Sequence, residues 1–169
     1  YFAQGLGQSG GLINQPLTNY LKTLGLNTDQ ATQLLAVLTV PWIIKPLYGL
    51  VSDFFPLFGY RRKSYLFLMN GLATAGFLWL TGLTATDMIV AALVLTALGI
   101  AASDVLVDAI MVEKGQRTGQ IKRFQSQQWL WFNIAAITVG LLGGWLSDVL
   151  APASALHTAA LITACAPAG

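Results

Sequence analysis

Three ionisable side chains stand in stretches of this sequence that are otherwise apolar. Lys45 lies in the run Pro41 to Asp53, and Asp104 and Asp108 lie in the run Met88 to Val112. Charge inside a membrane-spanning stretch is costly, so it normally faces a partner or a polar cavity and marks function by default. Two carboxylates four residues apart share one face of a helix. On a buried face they repel when both are ionised, which makes the pair a candidate proton site. Lys45 stands eight residues before Asp53 and Asp104 nine before Glu113, about 12 and 13 Å from the same side at roughly 1.5 Å per residue. The matching depths predict that Lys45 meets the Asp104/Asp108 pair across a polar interior. The plain alternative is an ion pair that only ties two helices together, a device with little need of the third charge.

A second constellation comprises Gly49, Asp53, Gly59 and the triplet Arg61, Arg62 and Lys63. A carboxylate ends one apolar segment, a turn follows, and cations precede the next. Such a loop stabilises one conformation through charge-assisted pairs that break when helices shift. It is equally readable as a topology signal with Asp53 solvated. Gln4 and Gln8, in the first apolar stretch, suit the lining of a cavity. Gly5, Gly7 and Gly10 formally satisfy the dinucleotide pattern G-x-G-x-x-G, but no strand precedes them, and small residues in a membrane helix serve close packing. Asn70 and Asn133 are suited to hydrogen bonds between helices. His157 has no ligand set around it, and no nucleophile, base and acid are spaced for enzyme chemistry. Nothing in the pattern calls for a metal or a cofactor.

The elements that carry these residues follow from composition. Only 9% of residues are charged and 55% are hydrophobic, against about 25% charged in ordinary soluble domains. This is the composition of an all-α integral membrane protein. A spanning helix needs about 20 mostly apolar residues, and segments at about 33–53, 65–84, 88–112 and 128–150 meet that standard. Two weaker segments, 1–21 and 153–169, flank them. The chain opens on Tyr1 rather than methionine and closes inside an apolar stretch, which reads as part of a longer protein. Tyr1 to Gly11 shows no basic start of the kind a cleavable signal has. One cysteine, Cys165, allows no disulfide framework, and a formal charge of +2 gives no reason to expect nucleic acid as a partner.

Local signals mark the boundaries. Asn27 with Gln30 makes a partial capping box before the second segment, and Thr86 with Asp87 is placed to open the fourth. Pro41 and Pro46 remove helix donors and bend the second. Seven of the nine Lys and Arg residues fall in two alternate loops, Asp53 to Ser64 and Glu113 to Ser126. Cytoplasmic loops collect such residues, so these loops and the N-terminus are expected inside. There is also an internal echo. Gly49 to Asp53 (GLVSD) is repeated as Gly144 to Asp148 (GWLSD), and Gly5 to Leu12 resembles Gly99 to Leu106. Each pair runs in opposite directions through the membrane, as in a three-span unit repeated with inverted topology.

Taken together, the segments Tyr1 to Gly5, Pro41 to Asp53, Phe55 to Tyr65 and Ser103 to Ala109 resemble the folate-biopterin transporter family of the major facilitator superfamily. The likeness runs through the whole chain. Gly49 to Lys63 is similar to that superfamily's loop signature, with extra residues before Gly59 and Phe54 where a basic residue is usual. The resemblance implies the N-terminal part of a superfamily fold, with five complete spans and part of a sixth in inverted three-helix repeats. It implies proton-coupled, alternating-access transport of folates or pterins, with a second six-helix half as partner. The membrane implied is a cyanobacterial-type inner membrane or a plastid envelope. A pterin ring can stack on Trp42 or Tyr48 and give its N–H groups to a carboxylate, and an anionic folate tail would want Lys45. Two other readings stand beside it. One is an assembly factor resembling the superfamily's bacteriochlorophyll-delivery proteins, and the other is a transporter of a different small solute.

Overall fold

A computed structural model describes residues 1–8, 11–25, 27–55 and 62–168. All regular structure among them is helical: α1 (Phe2–Gly7), α2 (Asn14–Thr23), α3 (Thr28–Val37), α4 (Val40–Ile43), α5 (Lys45–Phe54), α6 (Lys63–Leu80), α7 (Thr86–Thr118), α8 (Ile121–Val149) and α9 (Pro152–Ala168). Three stretches among the described residues are long and apolar enough to cross a membrane, namely Asp29–Phe54, Thr86–Thr118 and Ile121–Val149.

The long helix α7 is the centre of the molecule. It packs against α6, α5, α4, α8 and α1, and 67% of its most apolar window is buried, against 11% for Asp29–Phe54 and 17% for Ile121–Val149. Small residues in its middle, Gly99, Ala101, Ala102 and Ser103, let neighbours approach closely. It ends where Gly119 turns left-handed at φ +67°, a conformation that carries little penalty only without a Cβ. The residue before its first turn is Ala85, and no side chain caps it, so the expected Thr86 cap is not formed. Asp87, inside the first turn, still complements the helix dipole.

The expected first apolar segment is not one helix. Gly11 sits against the Leu6 carbonyl oxygen, where a Cβ would have no room, and the Leu12 N–H donates to that same oxygen at 2.9 Å. The chain therefore turns sharply before α2 begins. The expected second segment is broken twice. Pro41 and Pro46 cannot donate and their rings crowd the preceding turn, and the backbone tightens to three-residue spacing nearby, with Thr39 N–H on Ala36 O at 3.0 Å and Leu47 N–H on Ile44 O at 2.9 Å. The capping box does form at its start: the Asn27 N–H donates to Gln30 Oε1 at 3.1 Å, and the Asn27 side chain accepts in return.

The core lies toward one end of the bundle. Leu12, Leu17 and Leu21 meet Phe77, Leu80, Ile89, Leu146 and Leu156 there, each essentially inaccessible. The other end is where α5, α6, α7 and α8 bring their polar residues together.

Candidate functional site

Lys45 is the first residue of α5, just past the break at Ile44. Its Nζ lies 2.6 Å from Asp104 Oδ2 on α7, with side-chain exposures of 32% and 10%. The pair is thus shielded on the carboxylate side and open on the ammonium side. Trp42, on α4, lies beneath the same ammonium, 4.3 Å from Nζ to the ring centroid. A partly desolvated cation over an indole face gains about 1–2 kcal/mol.

Asp108, one turn further along α7, does not join the ion pair. Its Oδ1 accepts from the Tyr1 hydroxyl at 3.2 Å and from Gln128 Nε2 on α8 at 2.9 Å. The Tyr1 ring packs on Phe132 with centroids 5.7 Å apart, which docks the start of α1 onto α8. Lys45 thus meets Asp104 directly, as expected, while Asp108 of the same pair is held by two neutral donors, the Tyr1 hydroxyl and the Gln128 amide, and makes no ion pair of its own with the ammonium. The physical reason is that a four-residue step shares a face but shifts the side chain about 6 Å along the axis, out of reach of the same Nζ.

Beyond Asp108 lies an open cleft of about 880 Å³, lined by Asp53, Arg62, Lys63, Asp108, Glu113 and Lys114 among others. Arg62 organises it. Its Nη2 and Nε lie 3.0 and 3.2 Å from Asp53 Oδ1, while Nη1 reaches Glu113 Oε2 at 3.0 Å and the Ala109 carbonyl at 3.3 Å. Arg117 adds a contact to Glu113 at 3.1 Å. Gly49 faces Val105, where an added Cβ would make ordinary contact at 3.5 Å. Gly59 and Arg61, expected in the same loop, lie outside the described residues.

The two glutamines go elsewhere. Gln8 lines a cavity of about 40 Å³ with Trp42, Asn14 and Phe77, and Gln4 lines another with Asn70 and Ser103. Neither of these cavities is lined by Lys45. Tyr1, Gln128, Glu113 and Arg117 were not anticipated as site residues. The only available hint for Glu113 and Arg117 was their four-residue spacing, which suits an acid and base on one helix face. No group of three or more His, Cys, Asp or Glu side chains that could hold a metal occurs among the described residues.

These features define a helical integral membrane protein with a charged pair set among its packed helices. The chain belongs to the BT1 family, whose profile matches residues 4–167. It is 36% identical over 99% of its length to the folate-biopterin transporter of Synechocystis sp., of which it covers 33%. It is 32% identical over 86% of its length to the probable folate-biopterin transporter 9, chloroplastic, of Arabidopsis thaliana, covering 27% of that protein. With folate transporter 2 of Plasmodium falciparum it shares 30% identity over 73% of the chain and 28% of the relative. The chain thus spans a third or less of the length of these curated relatives. No solved structure matches it.

Proposed function

We propose that this chain forms the N-terminal part of a proton-coupled secondary transporter for folate- or pterin-type solutes, working by alternating access. The observation that carries the reading is the half-open Lys45–Asp104 pair at 2.6 Å. A carboxylate of an anionic solute can approach Lys45 from its open side and compete with Asp104 for the ammonium, and a carboxylate only 10% exposed is costly to leave charged without its cation. Anion and proton then load together. Trp42 is placed to sense the exchange, because Lys45 occupies its ring face and would leave it. That occupation also argues against the ring being open to a stacked pterin while the ion pair is formed. The names of the relatives supply the substrate class.

The fold proposed is the first six-span half of a major facilitator, with spans near 1–21, 33–53, 65–84, 88–112, 128–150 and 153–169 and the N-terminus in the cytoplasm. A matching C-terminal half would close the site. The packing pattern supports an inverted three-span repeat. If α1–α2, α3–α5 and α6 correspond to α7, α8 and α9, every contact should reappear with the units exchanged. Most do: α1 packs on α8 as α5 packs on α7, α6 packs on α7 as α9 packs on α1 and α2, and α6 and α9 pack on each other, whereas the packing of α8 on α9 has no counterpart of similar extent between α6 and α3, α4 or α5. The apolar flanks of Asp29–Phe54 and Ile121–Val149, with Ile43, Leu47, Ile137 and Leu141 exposed, suit lipid and the second half.

The test is uptake of labelled folic acid and biopterin by the complete protein in sealed vesicles, with and without an imposed pH gradient. Gradient-stimulated uptake is expected, lost in Lys45→Gln and in Asp104→Asn while membrane insertion is kept. Full coupled uptake in both variants would remove the idea. Copurification with pigment–protein complexes together with no pterin uptake would point to an assembly role instead.

A further inference from the structure

Between α1, α6, α7 and α9 lies a cavity of about 30 Å³, lined by Ala3, Gln4 and Gly7, by Asn70 and Phe77, by Ile100 and Ser103, and by Thr163. It is separate from the Lys45–Asp104 contact and from the open cleft. Its lining is unusual for so small a space. Gln4 is shielded at both its amide nitrogen and its amide oxygen, and neither atom has a hydrogen-bond partner. The Ser103 hydroxyl is likewise shielded and unpartnered, on a residue only 2% exposed. Thr163, fully buried, donates to the Ala159 carbonyl at 2.6 Å and keeps its oxygen lone pairs.

Leaving such groups unmade is expensive, at least as costly as the gain from an average hydrogen bond, and native interiors satisfy nearly all of them. An amide from α1 and a hydroxyl from α7 are thus left without a protein partner on residues that line one cavity. A water needs roughly 10–15 Å³ of such space and two to four polar partners. The cavity meets both conditions for about two waters, and it is far too small for a heterocycle or a carboxylate-bearing solute. Size therefore decides the class of ligand.

We propose that this cavity is an internal water site, in which ordered water bridges the Gln4 amide of α1 to the Ser103 hydroxyl of α7. The bridge ties the short helix α1 to the central helix α7. It assigns Gln4 to the internal wiring of the bundle, leaving substrate contact to other residues. Ser103 precedes Asp104 in α7, so the same site fixes the rotation of the helix turn that presents Asp104 to Lys45. The inference does not depend on the transport reading, because it concerns solvent bound inside the bundle.

Two measurements on the complete protein test it. A structure of the unaltered protein that resolves ordered solvent should show density within about 2.7–3.2 Å of Ser103 Oγ and of a Gln4 amide atom. Thermal unfolding in detergent should separate a wet cavity from a dry one by sign. With water bound, Ser103→Ala and Gln4→Leu each remove a partner and lower the melting temperature by roughly 2–5 °C. In the double variant the loss is smaller than the sum, because no half-satisfied water remains. With the cavity dry, each substitution deletes an unpaired buried group and raises the melting temperature. Absence of solvent density, or a rise in melting temperature in either single variant, would overturn the proposal. Should the variants fail to fold, the density of the unaltered protein still decides.

Discussion

The two ends of α7 are built on opposite rules. From Ile89 to Ile100 the helix is packed in an apolar core against Phe77 and Leu80 of α6, with Leu12 and Leu17 closing the same cluster. From Ser103 to Glu113 it carries three carboxylates, each with its own partners: Lys45 for Asp104, Tyr1 and Gln128 for Asp108, Arg62 and Arg117 for Glu113. Dispersion and tight packing hold the first region, and they are short-ranged and intolerant of shape change. The second is held by pairs that can be exchanged one for another at modest net cost. A rigid end joined to a rewirable end is the arrangement a rocking element needs, since the packed end moves as a body while the pairs at the other end change partners.

The contrast can be broken most forcefully at the packed end. Phe77 is 2% exposed and borders both small cavities, so Phe77→Ala is expected to cost about 3–5 kcal/mol. Unfolding in detergent would show it as a large loss of melting temperature, with surviving protein retaining the ordinary substrate preference. Next comes Asp104→Ala. Stranding Lys45 is expected to cost about 2–3 kcal/mol, below the range for fully buried pairs because the lysine is 32% exposed. The comparison sharpens in the double variant Lys45→Met/Asp104→Leu. Stability should return to within about 1 kcal/mol of the unaltered protein, since paired removal is often neutral, while uptake stays lost. Recovery of uptake along with stability would show that the pair is only structural.

Parts of this arrangement are legible in the sequence alone. Counting residues from Asp53 and from Glu113 placed Lys45 and Asp104 at one depth, because helical rise is nearly constant and charge in an apolar run has few places to go. The two prolines announced the broken second segment for the same local reason. What failed was long-range and neutral. Tyr1 reaches Asp108 across 107 positions and Gln128 across 20, and neither a phenol nor an amide stands out in a sequence the way a charge does. Gly11 gives no sign of the turn it makes, because a glycine in an apolar run looks the same for a close helix contact and for a tight turn. Only the neighbouring Leu6 carbonyl distinguishes them. The echo between Gly49–Asp53 and Gly144–Asp148 was visible as letters, yet the two ends are used differently: Asp53 binds Arg62, while the Asp148 end has no ion pair among the described residues.

Two smaller effects probe how the charged end is graded. Trp42→Leu removes the ring beneath Lys45, expected to cost about 1 kcal/mol and to weaken anion loading several-fold by letting the ammonium wander from its place. Arg62→Ala is expected to do less to stability. Asp53 and Glu113 are 52% and 51% exposed, and exposed pairs contribute roughly 0–1 kcal/mol each. Its signature is salt dependence. A double-mutant cycle between Arg62 and Asp53 should give a coupling energy that shrinks markedly between about 0.01 M and 1 M salt, as the screening length falls from roughly 30 to 3 Å, whereas the Lys45–Asp104 coupling should change little over the same range. Equal salt sensitivity in both cycles would mean that the pair beside Trp42 is as solvated as the one at the cleft, and the division of α7 into a sheltered charge and an exposed network would fall.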